Sequence, residues 1–232
     1  ENRLLDWGLS SDKIIKIPLG VNTKKFIPAN KSKKYDIRNV LGIPRNSILI
    51  GSFQKDGTGW GEGLKPKLIK GPDILVETLK ILRNKGLPIY VLLTGPARGY
   101  VKNELKKNHI PFYHSFVQNL DELVPLYQAL DIYLITSREE GGPLGLIESM
   151  SCGIPVVTTR VGMSEDVINK NIPGEISDTF DPKELAYKIE ETIDSFTKNE
   201  IESQRVIRKN IIQFDWEEVA QQHWEKVYKD LV

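Results

Sequence analysis

The sequence contains almost no cysteine: Cys152 is the only one among its 232 residues. A single thiol excludes an internal disulfide, and His109, His114 and His223 form no spaced cluster with it that would indicate zinc. We therefore expect a reducing compartment and no metal site. Long apolar runs are missing as well, because none reaches the length of a membrane-spanning helix and no signal-peptide pattern opens the chain.

A strong excess of charge of either sign is also absent. The 32 basic and 31 acidic residues give a formal net charge of +1, which does not support a nucleic-acid partner. Lys31, Lys33 and Lys34, next to Asn30 and Ser32, form the one local cluster, which we predict to be a solvated loop. Hydrophobic residues make up 40% of the chain and charged residues 27%, as is typical of a globular protein with a real core.

Apolar segments of strand length alternate with amphipathic segments of helix length. This pattern predicts a doubly wound α/β fold, with a parallel sheet covered on both faces. Ligands of such sheets bind beyond the carboxyl ends of the strands, where residues 54–71, 95–99 and 137–145 carry unusual chemistry. The predicted strands are 47–53, 88–94, 111–114, 131–136, 154–158 and an edge strand 174–177. The predicted helices are 72–84, 101–108, 121–130, 144–152, 182–195, 200–210 and 216–231.

Residues 137–148, with the sequence SREEGGPLGLIE, connect a predicted buried strand to a helix. Gly141 and Gly142 let the backbone approach a ligand closely, and Pro143 suits the first turn of the helix. The free amides and the positive dipole at the start of that helix would hold a phosphate. The segment therefore predicts an anion-binding site.

Glu148 lies on the same predicted helix, with the small residues Gly145, Ser151 and Cys152 three or four positions away on its face. We expect these small neighbours to leave room for a ligand beside the carboxylate. Carboxylate lone pairs suit a vicinal diol such as a ribose. The alternative is a solvent-facing glutamate, since glutamate usually lies at the surface.

The same segment resembles the EX7E signature of family 4 glycosyltransferases, whose members have the two-domain GT-B architecture. The signature usually reads EGFGLxxxEAMAxGxPVV, and residues 140–157 read EGGPLGLIESMSCGIPVV. Other family landmarks follow in order, and the resemblance covers nearly the whole chain. They are IPLGVN at 17–22 with Phe26, KGPD at 70–73, the L…LY..AD stretch at 120–131, and the GG..E……G stretch represented by Gly162, Glu165 and Gly174.

The resemblance implies roles for individual side chains. Glu148 corresponds to the glutamate that accepts hydrogen bonds from the nucleotide ribose. Glu140 corresponds to the catalytic glutamate that contacts the donor sugar or supports the reacting centre, and the family spacing favours it over Glu139. Lys70 corresponds to a lysine that neutralises the diphosphate. Lys55 stands where the family usually has an arginine, so that a point charge replaces bidentate phosphate binding.

The resemblance also implies contacts made mostly by the backbone. The amides from Gly142 to Gly145, a stretch that includes Pro143 and Leu144, would meet the distal phosphate and the donor sugar. Ser115, Phe116 and Val117 would hold the base. No cofactor beyond the nucleotide-diphosphate sugar is implied. The sequence has no Asp-x-Asp to carry a divalent ion, which fits a metal-independent mode.

Residues 54–69 form a longer loop than the family usually has, with four glycines around Trp60. Long glycine-rich loops serve as lids over a ligand or are merely mobile, and both alternatives stay open. Trp216, Val219, Trp224 and Val227 leave a similar choice. They would face a partner domain or pack on their own domain, since apolar stripes are common on core helices.

The function implied is retaining glycosyl transfer from a nucleotide sugar, with this chain as the Rossmann-like donor-binding half. We expect a fragment. Residues 1–16 would be a residual interdomain segment, 17–214 the donor domain, and 215–232 a helix that packs toward a missing N-terminal, acceptor-binding domain. We expect a cytoplasmic location, with peripheral membrane contact through the missing domain left open. Two alternatives remain: a donor-binding module that is inactive on its own, and a sugar-nucleotide epimerase of GT-B type.

Overall fold

Parallel strands form one six-stranded sheet in the computed structural model, which describes residues 2–169 and 172–229. The strands are β1 (Ile48–Phe53), β2 (Ile89–Thr94), β3 (Phe112–Ser115), β4 (Ile132–Ile135), β5 (Val156–Thr159) and β6 (Gly174–Ser177). Their spatial order is β3-β2-β1-β4-β5-β6, with every pair parallel. The order reverses between β1 and β4, as in doubly wound folds that bind dinucleotides. The predicted fold class is confirmed.

Helices cover both faces of this sheet. They are α1 (Asn2–Asp6), α2 (Lys31–Val40), α3 (Pro72–Asn84), α4 (Gly99–Lys107), α5 (Leu120–Gln128), α6 (Leu144–Ser151), α7 (Ser164–Val167), α8 (Pro182–Lys198), α9 (Glu200–Ile211) and α10 (Trp216–His223). Short 3-10 turns lie at Ser11–Lys13, Leu68–Lys70 and Ile212–Phe214. The predicted elements are all present, with bounds that differ by at most three residues except at the C-terminal end.

Alternate side chains of each strand enter two separate cores. In β4, Tyr133 and Ile135 enter the core that includes residues of α5, α6 and α9. Ile132 and Leu134 enter the core that includes residues of α3, α4 and α8. Successive residues of a strand point to opposite faces, and here both faces are buried. The strands are therefore continuous apolar runs rather than alternating ones.

The lysine cluster at residues 31–34 is helical, and the predicted solvated loop is wrong. Asn30 caps α2 by accepting a hydrogen bond of 2.9 Å from the Lys33 amide. Lys34 is 8% exposed, and its ammonium lies 2.7 Å from Asp131. Burial acts to raise the pKa of Asp131, but the charges of Lys34 and Arg38 outweigh it and hold this pKa below its ordinary value. A carboxylate distant in the sequence thus draws one lysine inward.

The C-terminal segment is not one continuous α-helix. α10 ends at His223 and a π-helical turn, Trp224–Tyr228, follows. Residues 230 and 231 of the predicted helix 216–231, and residue 232 after it, lie outside the described part of the chain. Val219 is buried, whereas Trp216 and Trp224 are 58% and 49% exposed. The segment therefore packs on its own domain through Val219 and through Trp216, whose indole nitrogen donates to the Gly20 carbonyl, while about half of each tryptophan stays exposed.

The glycine-rich segment after β1 forms a hairpin. Gly57 and Pro66 pair as an antiparallel bridge, and the tip carries Trp60, which is 98% exposed. Gly57 cannot carry a side chain here, because a Cβ would lie 2.3 Å from the carbonyl oxygen of Ala97. The base of the hairpin is thus packed against the chain that leads into α4.

The hairpin also completes the start of α4. The amides of Gly99 and Tyr100 donate to the carbonyls of Glu62 and Gly63 at 2.7 and 2.9 Å. The first amides of a helix have no partner within the helix, and these hairpin carbonyls supply one. The sequence offered a choice between a lid and a mobile loop. The structure shows a hairpin that is fixed at its base and exposed at its tip.

Candidate functional site

A cleft of about 480 Å³ opens beyond the carboxyl ends of β1 and β4, where the strand order reverses. This is the position at which open α/β sheets bind their ligands. The walls come from the segments after β1, β2 and β4 and from the start of α6. The predicted residues that line this cleft are Lys55, Lys70, Val117, Glu140, Gly142, Pro143, Leu144, Gly145 and Glu148.

Two residues of the predicted base-binding stretch lie elsewhere. Ser115 is the last residue of β3 and pairs with Thr94 of β2. β3 begins and ends one residue later than the predicted strand 111–114. Phe116 is 56% exposed and does not line the cleft. Of this stretch Val117 lines the cleft, and the contacts of Ser115 and Phe116 with a base stay predictions.

α6 begins at Leu144, where the predicted helix 144–152 also begins. Pro143 therefore occupies the N-cap position, with φ −71° and ψ 107°, rather than the first turn. No side chain caps this helix. The amides at the start of a helix lack intrahelical partners, and together with the helix dipole they attract anions. In the cleft, this end of α6 is suited to a phosphate.

The glycines near α6 are required by packing within the protein. A Cβ on Gly145 would lie 2.3 Å from the hydroxyl of Tyr133. A Cβ on Gly142 would lie 2.8 Å from Leu19. The absence of these side chains brings the start of α6 close to β4, so the backbone itself forms the cleft wall.

Lys70 is placed by an unusual backbone at the start of α3. Gly71 has φ +61°, a left-handed conformation that favours glycine, and a Cβ there would lie 1.8 Å from the carbonyl oxygen of Thr136. The Thr136 hydroxyl donates to the Gly71 carbonyl at 2.8 Å. The start of α3 is thus joined to the end of β4, which brings Lys70 and Glu140 together as an ion pair.

Glu140 is held from two sides. Its carboxylate accepts a hydrogen bond from Ser137 Oγ at 3.0 Å and pairs with Lys70, and its side chain is 14% exposed. Glu139 lines a neighbouring cavity instead of this cleft. Of the two adjacent glutamates, Glu140 is therefore the one that lies in the cleft, in agreement with the predicted spacing. In the structure the positive charge of Lys70 is paired with the carboxylate of Glu140.

The loop that carries Glu140 is fixed at its start by Arg138. This guanidinium forms a bidentate ion pair with Asp73, with N–O distances of 2.9 and 2.6 Å. The hydrogen bond from Arg138, opposed by partial burial, lowers the pKa of the Asp73 carboxyl. Bidentate pairs of this kind restrict geometry as well as attract charge. The loop after β4 and the start of α3 are thus tied together a second time.

Glu148 is half-buried and does not simply face solvent. Burial raises the pKa of its carboxyl, an effect opposed by a hydrogen bond of 2.7 Å from the Tyr127 hydroxyl to Oε2. The expected room beside it does not come from Ser151 or Cys152. Ser151 donates to the Phe26 carbonyl at 2.7 Å and Cys152 is fully buried, so both face the core.

Two further features of the cleft were missed by the sequence analysis. Lys67 lines the cleft together with Lys55 and Lys70, and its place in the long loop gave no family landmark to identify it. Tyr127 lies in the wall behind Glu148, although the sequence assigned it only to a family landmark. Lys55 is half-buried, with its ammonium 4.2 Å from the centroid of the Trp60 ring, a cation–π contact.

The structure also bears on membranes and metals. Within residues 2–169 and 172–229 no helix is long and apolar enough to cross a membrane. In the same residues no group of three or more His, Cys, Asp or Glu side chains is placed to hold a metal ion.

Comparisons with known proteins place the chain among glycosyltransferases. It is 25% identical over 221 residues to the D-inositol 3-phosphate glycosyltransferase of Corynebacterium urealyticum, covering 90% of this chain and 50% of that protein. It is 31% identical over 161 residues to the O-antigen biosynthesis glycosyltransferase WclY of Escherichia coli, covering 67% of this chain and 40% of WclY. The chain thus spans about half the length of the curated relatives it matches.

Solved structures share the fold. A glycosyltransferase from Rickettsia africae superposes with a TM-score of 0.80 at 23% identity, over 99% of this chain and 61% of that one. HepE from Anabaena, in complex with UDP-glucose, gives a TM-score of 0.74 at 19% identity, over 98% and 61% of the two chains. The family model described as glycosyl transferases group 1 matches residues 64–214, a range that contains Lys70, Glu140 and Glu148. The chain therefore belongs to the group 1 glycosyltransferases.

Proposed function

We propose that this chain binds a nucleotide-diphosphate sugar and forms the donor half of a retaining, family 4 glycosyltransferase. The meeting of Lys70, the start of α6 and Glu148 in one cleft carries the proposal. A cation and free helix amides suit a diphosphate, and a carboxylate suits the ribose diol. All three are brought together at the reversal point of the sheet.

The cleft offers a way to assist departure of the nucleotide. Glycosyl transfer places negative charge on the leaving phosphate while the sugar becomes oxocarbenium-like. Lys70, Lys55 and the start of α6 would stabilise that charge as preorganised electrostatics. When a diphosphate binds, it would compete with Glu140 for Lys70. The Glu140 carboxylate, still held by Ser137, would then be available to the donor sugar.

Metal and other cofactors are not part of this proposal. Two lysines and a helix start would supply the positive charge that a divalent ion supplies in metal-dependent transferases. Titration with a nucleoside diphosphate in the presence of EDTA and then of Mg²⁺ tests this. Equal affinity in both conditions is expected, and a dependence on Mg²⁺ would contradict the metal-independent mode.

The acceptor site is proposed to lie in an N-terminal domain outside this chain. The chain spans about half of its relatives, and the exposed tryptophans of the C-terminal segment would face that domain. On this view the isolated chain is a donor-binding module. The epimerase alternative differs in its product, because it would convert a nucleotide sugar into its epimer without an acceptor.

A thermal melting experiment tests the donor site. UDP, ADP, GDP and their glucose conjugates are added separately at millimolar concentration, while unfolding is followed by circular dichroism. UDP-glucose leads the panel because HepE binds it. A ligand at one hundred times its dissociation constant adds about 2.7 kcal/mol to the free energy of unfolding, which raises the melting temperature measurably. The matching nucleosides, which lack phosphate, are the controls and should give a smaller shift. If no diphosphate shifts the melting temperature, the donor-site assignment is wrong.

A further inference from the structure

Tyr127 on α5 is a buried residue whose hydroxyl crosses to another helix. The residue is 1% exposed, and its hydroxyl donates to Oε2 of Glu148 on α6 at 2.7 Å. Among residues 2–169 and 172–229, Tyr127 is the hydrogen-bond donor to this carboxylate. The Glu148 carboxylate lines the cleft at the same place. The hydroxyl therefore acts on a group that is presented to a ligand.

The ring of Tyr127 is held by three other aromatic rings. Its centroid lies 4.7 Å from that of Phe53, 5.5 Å from that of Tyr133 and 5.9 Å from that of Phe26. The rings meet at tilted or edge-on angles between 52° and 65°, the geometry that aromatic pairs favour. A ring fixed in this way fixes the direction of its hydroxyl.

The terminal torsion of a glutamate is broad and poorly defined by itself. A hydrogen bond to Oε2 from a fixed hydroxyl selects one orientation of the carboxylate plane. Oε1 is then turned to a constant position in the cleft wall. A diol that donates to Oε1, and to the remaining lone pair of Oε2, meets an acceptor that is already arranged for it.

We propose that Tyr127 is a positioning residue for the ribose end of the donor site, acting through Glu148. The inference rests on the proposed function, in which Glu148 accepts from the ribose hydroxyls. Tyr127 is 1% exposed and its hydroxyl is directed to Glu148, so it would act through that carboxylate. By holding Glu148 in one orientation before a ligand binds, Tyr127 would reduce the conformational entropy that Glu148 loses on binding. That loss is part of the free-energy cost of association.

Tyr127→Phe removes the hydroxyl and keeps the ring. We expect the variant to fold and to bind a ribonucleoside diphosphate roughly two- to tenfold more weakly, the order expected when one side chain must be ordered on binding. The probes are UDP, or whichever of UDP, ADP and GDP gives the largest thermal shift, and its 2′,3′-dideoxy analogue. Calorimetry gives the ratio of the two affinities. This ratio should be large for the wild type and decrease toward one in Tyr127→Phe, whereas a merely structural role would weaken both ligands equally.

Tyr133→Phe is the matched control. Tyr133 is buried in the same aromatic cluster, and its hydroxyl interacts with the Phe53 backbone at 3.1 and 3.2 Å and with the Tyr127 hydroxyl, whereas the hydrogen bond to Glu148 comes from Tyr127. This variant should keep the wild-type ratio of ribo to dideoxy affinity, whatever its overall affinity. A ratio that decreases equally in both variants would overturn the inference, because the effect would then come from loosening of the cluster.

A double-mutant cycle with Glu148→Gln gives an independent measurement. If Tyr127 acts through Glu148, its removal should cost little once Glu148 is neutral, so the two effects should not add. Additive effects would contradict the inference. Circular dichroism and melting curves verify the fold of each variant. Failure of the wild type to bind any diphosphate would contradict the proposed function itself. Normal binding with an unchanged ratio in Tyr127→Phe would overturn only the role of Tyr127.

Discussion

Glu140 and Glu148 begin and end one short motif, yet their surroundings differ. Glu140 is paired with the cation Lys70, whereas Glu148 accepts a hydrogen bond from the neutral hydroxyl of Tyr127 and is partly desolvated by burial. A carboxylate that is paired with a cation can be displaced from it by an anion of higher charge, such as a diphosphate. A carboxylate next to a neutral donor keeps its own charge for a ligand. The two glutamates are thus suited to different parts of one donor molecule.

We predict that Glu148→Gln changes nucleotide binding and leaves the fold intact. The variant should fold normally and bind a nucleoside diphosphate more weakly, on the order of tenfold, because a charge-assisted acceptor becomes a neutral amide. Calorimetry measures the dissociation constant. Glu77→Gln, an exposed position of α3 outside the cleft, is the control and should bind as the wild type does. An unchanged dissociation constant for Glu148→Gln would remove Glu148 from the site.

Secondary-structure elements meet in the cleft because hydrogen bonds and ion pairs join their ends. Arg98 makes one set of these contacts from a fully buried position, with 1% of its surface exposed. Its Nη1 donates to the carbonyls of Ser52 and Gln54 at 2.7 and 2.8 Å. Nη2 lies 3.1 Å from Asp56, an ion pair without hydrogen-bond geometry. The end of β1 and the base of the hairpin are thereby joined to the start of α4.

Gly71→Ala should damage both stability and binding. The substitution forces a side chain into a left-handed backbone and against the Thr136 carbonyl, at a cost of at least ~1–3 kcal/mol for the strained backbone alone. Because Gly71 sets the place of Lys70, affinity for a diphosphate should decrease as well. Gly86→Ala is the matched control at the other end of α3. Gly86 also has positive φ, +84°, but a Cβ there meets nothing within 4 Å.

Both variants are compared by urea unfolding and by titration with the diphosphate. Gly86→Ala should lose some stability through strain and keep the affinity of the wild type. If Gly71→Ala is no less stable than Gly86→Ala and binds equally well, the contact with Thr136 does not organise the cleft.

Asp56 makes the hairpin base sensitive to pH. Burial raises the pKa of its carboxyl to about 6, even though the charge of Arg98 opposes this. The folded state therefore binds this proton more tightly than the unfolded state, and the ionised form is penalised. The stability of the wild type relative to Asp56→Asn should decrease as the pH rises from about 4 to about 6 and stay level above, a change of roughly 3 kcal/mol at most. Urea unfolding at pH 4.5 and 7.5 measures the difference in the free energy of unfolding between the wild type and Asp56→Asn. The same difference at both pH values would contradict a buried, charged Asp56.

The sequence predicted the sheet, its helices and most of the cleft, because these depend on local periodicity and on a continuous motif. The helix at residues 31–40 was not predicted, and the ion pair that buries Lys34 comes from Asp131, which is distant in the sequence. Lys67 was not identified, because only the folded hairpin brings it to the cleft. The hydrogen bond between Tyr127 and Glu148 joins two helices, and neither helix alone indicates it. Local patterns thus gave the elements, whereas contacts between distant residues were visible only in the fold.

The cleft is open to solvent, and the chain is about half as long as its curated relatives. Holding two substrates in reacting geometry supplies much of the rate of a transfer reaction. In the proposed arrangement one of those substrates is bound outside this chain. Donor binding and glycosyl transfer should therefore be separable.

We predict that this chain alone binds donor without transferring sugar efficiently. Slow hydrolysis of the donor is the expected remaining activity, because water reaches an open site. The chain is incubated with its best-binding nucleotide sugar and a range of sugar acceptors, while nucleotide release and product mass are followed separately. A Glu140→Gln variant shows whether the release depends on the cleft. Efficient glycoside formation would mean that the acceptor site lies within these residues, and an epimerised nucleotide sugar would favour the epimerase alternative.

The contact between Lys55 and Trp60 gives the protein an optical signal of its own. The Lys55 ammonium rests on the indole ring while it also lines the cleft, and Trp60 is otherwise open to water. A diphosphate that attracts this ammonium would draw it from the ring, and the fluorescence of Trp60 should change as the cleft fills. Trp7, Trp216 and Trp224 lie outside the cleft, so the change should disappear in Trp60→Phe. Occupancy of the donor site would then be followed in real time without any added dye.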